Sequence, residues 1–332
     1  MKQATIESGK GIGTIAIADA AVPQPAPGEA LVRIRAATLN FRDLIVAKGL
    51  IPGLGKEPRV VPLSCCVAEV VELGEGSGRV AVGDRVVPIF APYWLSGPTP
   101  DARMLGGPID GVARQYAVFP VEGLCAVPDS LGDLDGATLA CAGLTAWSAL
   151  TAFRPTSPGD WVLCHGTGGV SVAALQLAKA MGAQVAITSS SAAKLARAAA
   201  LGADLCIDTR ATPDWASALE TALGPRPIAN VIDTVGAVQF EDNARLLGAE
   251  GQISAIGMLG SEFSWTRVGT SAVAIAPIGV GNRDQHEAMT AFVAAHAIRP
   301  VVDVVFDLAR LQDAYRHLES GAFFGKVGIN LL

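Results

Sequence analysis

The middle of the chain alternates short apolar runs with segments of helical spacing. The strand-like runs are DWVLCHG (160–166), QVAITSS (184–190), DLCID (204–208), IANVIDTVG (228–236) and GQISAIG (251–257), and helical patterns such as GGVSVAALQLAKAMGA (168–183) and VQFEDNARLLGAE (238–250) lie between them. Strict alternation of strand and helix demands right-handed crossovers, which produce a parallel sheet covered on both faces. The pattern predicts a doubly wound α/β domain, which we place at residues 122–298.

The flanking regions follow a different pattern. Residues 1–121 contain short β-rich runs such as GEALVRIRAATLN (28–40), separated by turns rich in glycine and proline. This punctuation is typical of an antiparallel, barrel-like domain. After a helical pattern at 283–298, residues 299–332 return to short strands. The simplest architecture therefore inserts the doubly wound domain into a β-rich domain made of residues 1–121 and 299–332.

Charge and composition exclude several classes of function. The formal net charge is −6, and the chain lacks the clustered basic residues on which binding to nucleic acid depends. No apolar stretch approaches membrane-spanning length, and the first residues lack the pattern of a secretion signal. The six cysteines show no C-x-x-C spacing, which argues against a disulfide framework and a four-cysteine zinc site. We expect a cytoplasmic protein that acts on a small molecule, with no nucleic-acid or membrane partner.

A glycine-rich turn, CHGTGGVS (164–171), joins the first strand of the doubly wound domain to its first helix. Glycines let the backbone approach a pyrophosphate, and the free N–H groups of the helix favour its negative charge. The turn predicts a dinucleotide site at five residues: Gly166, Thr167, Gly168, Gly169 and Val170. A purely structural turn is the alternative, and Ser171 stands where the fingerprint has its third glycine.

The choice of cofactor is predicted from the end of the second strand. An acidic residue there would hold the ribose hydroxyl of NAD, but the chain has hydroxyl side chains and then Lys194. Hydroxyls and an ammonium suit a phosphate dianion, so we expect NADP(H) bound by Ser189, Ser190 and Lys194. Alternatively, Ser191 caps the next helix and Lys194 is solvated, and both interpretations can hold together. Arg210, after the third strand, is either a further cationic contact or an ordinary surface arginine.

The order of motifs along nearly the whole chain resembles that of the medium-chain dehydrogenase/reductase superfamily. The matching segments are PGEALVRIRAATLNFRDL, VGDRVV, ATLACAGLTAW, GDWVLCHGTGGVS, AAALGAD, IDTVG and GKVGINL. The resemblance implies a GroES-like catalytic domain and a Rossmann coenzyme domain. It also implies an active site in the cleft between them and hydride transfer to or from a nicotinamide.

The residues matching the zinc ligands of that superfamily's alcohol dehydrogenases differ from those ligands. Asn40 stands at the first cysteine, Ser64 at the histidine, Cys65 at the glutamate that follows it, and Cys141 at the third ligand. Because even open catalytic zinc sites use three protein ligands, we expect no metal. Neighbouring strand residues point to opposite faces, so we expect one thiol of Cys65 and Cys66 in the core and the other partly exposed.

The chain instead resembles the zinc-independent branch of quinone oxidoreductases and related enone and alcohol-type reductases, which carry N-[FY]-x-D at this point. The resemblance implies catalytic roles for two residues. Asn40 would face the cofactor ribose or a substrate oxygen, and Asp43 would orient its loop or act as a turn or cap carboxylate. The implied frame of the nicotinamide consists of Thr145, Val235, Gly236, Ile256, Gly257, Val280 and Gly281, and Lys326 would close over the cofactor.

Proton donation is the least determined step. Quinone reductases of this branch often carry a tyrosine, the usual proton donor, at the position where this chain has Val46. The candidate proton donors in its place are Lys48, Tyr93 and a water held by Asn40. Tyr93 and Trp94 lie in loop 91–111, which either shapes the substrate pocket or is a structural loop.

The leading hypothesis is a zinc-independent, NADPH-dependent reductase of conjugated carbonyls (enones) or quinones. A zinc-independent NADP-dependent alcohol/carbonyl dehydrogenase and a non-catalytic NADPH-binding protein are the alternatives. A homodimer is expected through the apolar segment 271–281.

Overall fold

Residues 1–50, 58–257 and 274–331 are described by the structure, a computed structural model. The contacts divide the chain into two compact units, Met1–Leu144 with Val280–Leu332, and Thr145–Gly279. The second unit is therefore an insertion in the first. The sequence analysis assigned residues 122–144 and 280–298 to the inserted domain. In the structure these residues pack with the first unit, because a strand at 124–126 and a helix at 283–295 join its β-rich core.

The elements follow one another in three blocks. The first block contains β1 (Lys2–Glu7), β2 (Ala16–Asp19), β3 (Glu29–Thr38), α1 (Phe41–Lys48), β4 (Arg59–Val60), β5 (Cys65–Leu73), β6 (Arg85–Pro88), β7 (Tyr116–Pro120), β8 (Leu124–Ala126), α2 (Asp133–Gly136), a π-helix (Leu139–Gly143) and α3 (Leu144–Thr151). The second block contains β9 (Trp161–His165), α4 (Gly169–Ala180), β10 (Gln184–Ser189), α5 (Ala192–Ala200), β11 (Leu205–Asp208), α6 (Trp215–Leu223), β12 (Ile228–Asp233), α7 (Phe240–Leu246), β13 (Leu247–Ala255) and β14 (Ala274–Pro277). The last block contains α8 (Arg283–Ala295), β15 (Val302–Asp307), α9 (Leu311–Glu319) and β16 (Lys326–Asn330).

The first unit is built around a mixed sheet in the order β15-β16-β3-β5-β6-β8, with β7 paired to β3. All its pairs are antiparallel except β15 with β16. A smaller antiparallel sheet, β2-β1-β4, adjoins the same core. The core contains fully buried side chains from both ends of the chain, among them Ile34, Val70, Tyr315 and Ile329. The closing strands are therefore part of the β-rich unit.

The second unit is a six-stranded parallel sheet in the order β11-β10-β9-β12-β13-β14. In chain order this is 3-2-1-4-5-6, the order of dinucleotide-binding domains, with the crevice beside the first strand. Each strand of the alternating sequence pattern is present, which confirms the prediction of a doubly wound domain. All five residues of β9 are buried, as expected for a central parallel strand covered on both faces.

Two local predictions need correction, and one lies outside the described residues. The helix predicted at 238–250 ends at Leu246, and β13 begins at Leu247 because the backbone there becomes extended. The chain end, predicted as short strands, also contains α9, whose apolar face packs into the core of the first unit. In the predicted dimer segment 271–281, residues 271–273 lie outside the described residues, and dimerisation stays a prediction.

Helices long and apolar enough to cross a bilayer are absent from the described residues.

Candidate functional site

The glycine-rich turn leads from the end of the central strand β9 into helix α4. Gly166 has φ of +70°, in the left-handed region that favours glycine, and Gly168 is the residue before the helix. A Cβ added at either glycine would meet no other heavy atom within 4 Å. The backbone of the turn is therefore open, at a helix end that has no capping side chain to occupy its free N–H groups. This is the arrangement that accepts a pyrophosphate.

Ser171, the departure from the glycine fingerprint, holds the turn by a hydrogen bond. Its buried Oγ donates to the carbonyl oxygen of His165 at 2.6 Å, and Thr234 Oγ1 donates to the same oxygen at 2.8 Å. The ring of His165 lies between Thr188 Oγ1, 3.0 Å from Nδ1, and Asn243 Oδ1, 2.7 Å from Nε2. Burial lowers the pKa of His165, which keeps the ring neutral. This network was missed by the sequence analysis because its members are far apart along the chain.

The ends of the next two strands lie at the same edge of the sheet. The predicted contacts there are Val235, Gly236, Ile256 and Gly257. The side-chain oxygen Oδ1 of Asp233 accepts hydrogen bonds from the N–H groups of Val235 at 2.9 Å and Gly236 at 2.8 Å. The main-chain oxygen of Asp233 accepts from the N–H groups of Ile256 at 3.0 Å and Gly257 at 2.8 Å. A Cβ on Gly257 would lie 2.3 Å from the carbonyl carbon of Thr234, so only glycine fits. Asp233 is a further site residue, which the sequence analysis did not identify.

The parallel register aligns these strand ends. Thr188 pairs with His165 between β10 and β9, and Asp233 pairs with Ala255 between β12 and β13. We use the name carboxyl edge for the segments that follow: residues 166–170, 189–191, 234–236 and 256–257. They are brought together by the pairing of four strands, as required for one extended ligand.

The predicted phosphate contacts at the end of β10 also lie at this edge. Ser189 is buried, Ser190 is exposed, and Ser191 Oγ accepts a hydrogen bond from the Lys194 backbone N–H at 3.5 Å. Ser191 therefore caps helix α5, which agrees with the interpretation of Ser191 as a helix cap. Arg210 is exposed after β11, where its backbone N–H donates to Asp208 Oδ1 at 2.9 Å.

The other residues predicted to surround the nicotinamide, Thr145, Val280 and Gly281, do not all belong to the same unit. Thr145 is buried at the beginning of the second unit, in α3. Val280 and Gly281 belong to the first unit. Val280 has φ of 54°, an uncommon conformation for a β-branched residue, at the point where the chain leaves the inserted unit. Such strained positions persist only where the surroundings determine them.

A second group of polar side chains is buried within the first unit. It consists of Asn40, Ser64, Cys65, Cys141 and Lys326, which we call the polar cluster. Lys326 Nζ donates to Asn40 Oδ1 at 2.5 Å. Asn40 Nδ2 donates to Cys65 Sγ at 3.1 Å and to Ser64 Oγ at 3.3 Å. In this arrangement both ends of the Asn40 amide are engaged inside the cluster.

Strand pairing and a strained turn position the cluster. Thr38 pairs with Cys65 on one side and with Gly328 on the other, so β5 and β16 flank the strand that leads to Asn40. Leu63, just before the cluster, has φ of 69° and is fully buried. Its carbonyl oxygen would lie 1.9 Å from a Cβ on Gly111. Close backbone packing thus determines the turn that presents Ser64 and Cys65.

The surroundings of Cys65 favour its ionised form. Burial by itself raises the pKa of Cys65, but the hydrogen bond from Cys141, the positive charge of Lys326 and the hydrogen bonds from Asn40 and Ser64 lower it to about 6. The interaction with Cys65 and burial both raise the pKa of Cys141. The groups around Cys65 therefore favour its ionised form, whereas those around Cys141 favour its neutral form.

The expectation for the two adjacent cysteines was wrong in one respect. Both Cys65 and Cys66 are fully buried, so neither is partly exposed. Cys66 faces the hydrophobic core of the first unit, and burial raises its pKa well above the usual range. Cys65 points to the opposite face of the strand, into the polar cluster.

Asp43 stabilises the start of helix α1. Its Oδ2 accepts a hydrogen bond from the Asn40 backbone N–H at 2.7 Å, which makes Asp43 a capping carboxylate. Burial raises the pKa of Asp43, and the charge of Arg42 and the hydrogen bond from Asn40 act in the opposite direction. Its Oδ1 is buried without a hydrogen-bond partner among the described residues.

The predicted pocket residues and proton donors have other contacts. Tyr93 is exposed, with the Arg103 guanidinium 3.6 Å from the centre of its ring. Trp94 is buried and donates from Nε1 to Gly97 O at 3.0 Å, which fixes its own loop. Lys48 forms an ion pair with Glu319. By contrast Lys326 was predicted only as a cofactor contact, and it is the buried lysine of the polar cluster.

The polar cluster does not provide the donors of a catalytic zinc site. Of the three positions that match zinc ligands, only that of Cys141 carries a soft ligand, and the amide of Asn40 is occupied by Lys326. The buried ammonium of Lys326, in contact with Asn40, opposes a second cation. Over residues 1–50, 58–257 and 274–331, no group of three or more His, Cys, Asp or Glu side chains could hold a metal ion.

Two family models match the chain. A model described as zinc-binding dehydrogenase matches residues 169–295, and one described as alcohol dehydrogenase GroES-like domain matches residues 26–129. The first match covers most of the doubly wound unit, and the second lies within the β-rich unit.

Individual proteins resemble the chain over nearly its full length. A zinc-type alcohol dehydrogenase-like protein of Schizosaccharomyces pombe is 39% identical over 324 residues, 93% of each chain. An acryloyl-coenzyme A reductase of Metallosphaera sedula is 30% identical over 319 residues, 92% of this chain and 93% of that one. The solved structure of an NAD-dependent alcohol dehydrogenase superimposes with a TM-score of 0.88 at 30% identity and covers 100% of both chains.

Proposed function

The chain belongs to the medium-chain dehydrogenase/reductase superfamily, and on that premise we propose that it is a zinc-independent, NADPH-dependent reductase of conjugated carbonyls or quinones. Family membership establishes the general activity, that of an oxidoreductase with a nicotinamide dinucleotide. The proposed features are the independence from zinc, the preference for NADPH and the substrate class.

The composition of the polar cluster carries the proposal. At the positions that match zinc ligands the chain has an amide, a hydroxyl and one thiol, and Lys326 Nζ contacts the amide oxygen of Asn40. A zinc ion would need three good ligands and would lie against a buried positive charge. Chemistry without a Lewis acid is therefore favoured.

Such chemistry limits the substrate. Hydride transfer to an isolated carbonyl leaves a localised alkoxide, which needs a metal or strong hydrogen-bond donors. A conjugated carbonyl or a quinone spreads the charge over several atoms, and solvent can protonate the resulting anion. The similarity to a reductase named for an acryloyl thioester, itself a conjugated carbonyl, supports this class.

The carboxyl edge provides groups that suit NADPH, which supplies the hydride when bound. The open backbone at Gly166 and Gly168 would bind the pyrophosphate. Ser189, Ser190 and Lys194 would surround the ribose phosphate, at a strand end that carries no carboxylate of its own. Asp208 ends the neighbouring strand, and its Oδ1 is occupied by the backbone N–H groups of two following residues.

A second candidate is a zinc-independent alcohol or carbonyl dehydrogenase. Its support is the similarity to a structure named as an NAD-dependent alcohol dehydrogenase and to an alcohol dehydrogenase-like yeast protein. That comparison also makes NAD the coenzyme to test against NADP. A non-catalytic NADPH-binding protein is the third possibility.

A kinetic panel on metal-analysed protein distinguishes these functions. The purified chain is assayed with a naphthoquinone, straight-chain enones and simple alcohols, each with the NADP and the NAD couple. We expect turnover of quinones or enones with NADPH. We also expect elemental analysis to find far less than one zinc per chain. Turnover of alcohols alone supports the second candidate, and tight NADPH binding without turnover supports the third. About one zinc per chain, lost together with activity on chelation, contradicts zinc independence.

A further inference from the structure

The imidazole ring of His165 is held on three sides inside the doubly wound unit. Thr188 Oγ1 lies 3.0 Å from Nδ1, and Asn243 Oδ1 lies 2.7 Å from Nε2. The ring of Trp215 packs edge-on, with 5.2 Å between the ring centres. His165, Thr188 and Asn243 are each at most 3% exposed. The position of the ring is therefore set by neighbours on β10, α6 and α7.

The hydrogen bonds of the ring define which nitrogen carries its proton. Burial lowers the pKa of His165, so the ring is neutral and has a single N–H group. The amide oxygen Oδ1 of Asn243 can only accept, so that proton lies on Nε2. Nδ1 is then an acceptor, and the hydroxyl of Thr188 donates to it. The ring thus orients the side chain of Thr188.

Thr188 joins the end of β10 to the beginning of the glycine-rich turn by two bonds. Its hydroxyl binds the His165 ring, and its carbonyl oxygen accepts the Gly166 N–H at 2.9 Å. Gly166 begins the turn predicted to bind the pyrophosphate, whereas Ser189 and Ser190, which follow Thr188, are predicted to bind the ribose phosphate. These bonds therefore connect the two predicted subsites of the coenzyme.

The main chain of His165 is held as firmly as its ring. The carbonyl oxygen accepts hydrogen bonds from Ser171 Oγ at 2.6 Å, in the first turn of α4, and from Thr234 Oγ1 at 2.8 Å, just after β12. The ring and the carbonyl group together connect the glycine-rich turn to β10, β12, α4 and α7. A change in the contacts of the ring should therefore be felt at the turn.

We propose that His165 is a positioning residue for the coenzyme, which through Thr188 fixes the distance between the two subsites and thereby favours NADPH over NADH. This role rests on the proposed binding of NADPH along the carboxyl edge. Subsites held at the spacing of one ligand spare that ligand the cost of ordering them. NADH lacks the ribose phosphate and gains nothing from the second subsite. Loss of the contact should therefore weaken NADPH binding more than NADH binding.

Thr188→Val tests the contact with a small change in shape. The variant keeps a β-branched side chain in β10 and removes the hydroxyl that donates to Nδ1. We expect the dissociation constant of NADPH, measured by calorimetry, to rise about tenfold and that of NADH to rise less than about twofold. The value of kcat at saturating NADPH should change by less than about twofold, because only binding is affected.

Two fragments of the coenzyme distinguish positioning from general damage to the site. ADP carries the pyrophosphate and adenosine 2′-monophosphate carries the ribose phosphate, so each fragment probes one subsite. The spacing between subsites matters only to a ligand that spans both. In Thr188→Val the dissociation constant of each fragment should therefore change by less than about twofold. A merely structural role would weaken the fragments and the whole coenzyme by the same factor.

Two substitutions of His165 separate the two bonds of its ring. The shorter amide of His165→Asn can take the place of Nδ1 beside Thr188, and the longer amide of His165→Gln can take that of Nε2 beside Asn243. We expect His165→Asn to bind NADPH within about threefold of the wild-type affinity, and His165→Gln to bind it about tenfold more weakly.

Asp160→Asn is the matched control, just before the other end of β9. It weakens an ion pair in which Arg154 Nη1 lies 2.7 Å from Asp160 Oδ2. The substitution should lower the melting temperature and leave the affinities for NADPH and NADH unchanged. Melting curves check that all variants are folded, and the result for Thr188→Val decides the question even if a His165 variant fails to fold.

The wild-type chain tests the proposed coenzyme, and the variants test the role of His165. A folded Thr188→Val variant whose NADPH affinity stays within about twofold of wild type overturns this role and leaves the proposed function standing. An equal loss of affinity for NADPH, ADP and adenosine 2′-monophosphate has the same meaning. A wild-type chain that binds NADH but not NADPH overturns the proposed coenzyme and this role together.

Discussion

The carboxyl edge and the polar cluster are built in opposite ways. At the carboxyl edge, consecutive strands of one parallel sheet end together, and the functional surface is backbone and glycine. In the polar cluster, side chains from four separate segments of the first unit meet inside a packed core. The first kind of site depends on where the chain can turn, and the second on which side chains the strand register brings together.

The two regions also differ in their electrostatics. At the carboxyl edge the backbone of the glycine-rich turn is open, and the buried His165 that precedes the turn is neutral. The polar cluster buries the charged Lys326 side chain, and that charge helps to lower the pKa of the buried Cys65 thiol. Substitutions at the open glycines of the edge, Gly166 and Gly168, should therefore separate folding from ligand binding, while those in the cluster should affect both.

The largest effect is expected for Gly257→Val. The new Cβ would lie 2.3 Å from the carbonyl carbon of Thr234, a backbone atom that cannot rotate away. We expect a loss of more than about 3 kcal/mol in the free energy of unfolding, measured by urea denaturation. Wild-type stability of the variant would show that the two strand ends are not packed as described.

Gly168→Ala is the matched control at the same edge, because its Cβ meets no atom within 4 Å. Its stability should equal that of the wild type, while the dissociation constant for the coenzyme rises about tenfold, or about 1.4 kcal/mol, if the pyrophosphate lies there. Unchanged coenzyme binding, by calorimetry, would place the pyrophosphate elsewhere.

Acid sensitivity is expected to come from a buried histidine in each unit. Burial lowers the pKa of His286 from 6.5 to about 4, so the folded state refuses a proton that the unfolded chain accepts. Stability should therefore fall as pH drops from about 6.5 to about 4, with His286 contributing on the order of 3 kcal/mol over this range. His286→Leu should flatten the pH dependence of the unfolding free energy.

His296→Gln, at the exposed end of the same helix, is the control for that titration. It should leave the acid branch of the curve unchanged. An equal change in both variants would assign the effect to the helix as a whole rather than to the buried ring.

Two lysines test how much burial matters in the first unit. Lys326→Met leaves the buried oxygens of Leu39 and Asn40 without their donor, which should lower the unfolding free energy by about 2 kcal/mol. Lys48→Met breaks a surface ion pair with Glu319 and should cost less than about 1 kcal/mol. Equal losses, measured by chemical denaturation, would argue against the special position of Lys326.

A smaller effect than that of Lys326→Met is expected for Ser171→Ala at the glycine-rich turn. The variant loses the hydrogen bond from Oγ to the carbonyl oxygen of His165, 2.6 Å long, and should lose about 1 kcal/mol of stability. Coenzyme affinity should fall by a similar amount if the bond positions the turn. Ser217→Ala, on the more exposed helix α6, gives the background effect of removing a hydroxyl.

The sequence predicted the second unit well because its pattern is local. Each strand is a continuous apolar run, and the turns carry local signals such as Gly166, the capping Ser191 and the capping Asp214. The helix from Leu311 to Glu319 was missed because packing of its apolar face against the core decides it. The early end of α7 was missed because the backbone becomes extended at Leu247 within a helical sequence pattern. His165 was missed for a related reason, since its partners Thr188 and Asn243 lie far along the chain. Asp233 was missed because its main-chain oxygen also contacts the end of the next strand, at Ile256 and Gly257.

By itself, the sequence determined the fold class, the glycine-rich turn and the unusual residues at the positions matching zinc ligands. Only the tertiary structure decided that Lys326 contacts Asn40, that Asn40 contacts Cys65, and that Cys66 faces the hydrophobic core instead. The physical reason is range. Turns and helix caps are set by neighbours a few residues apart, whereas the charge state of a buried thiol depends on groups that strand pairing brings from the two ends of the chain.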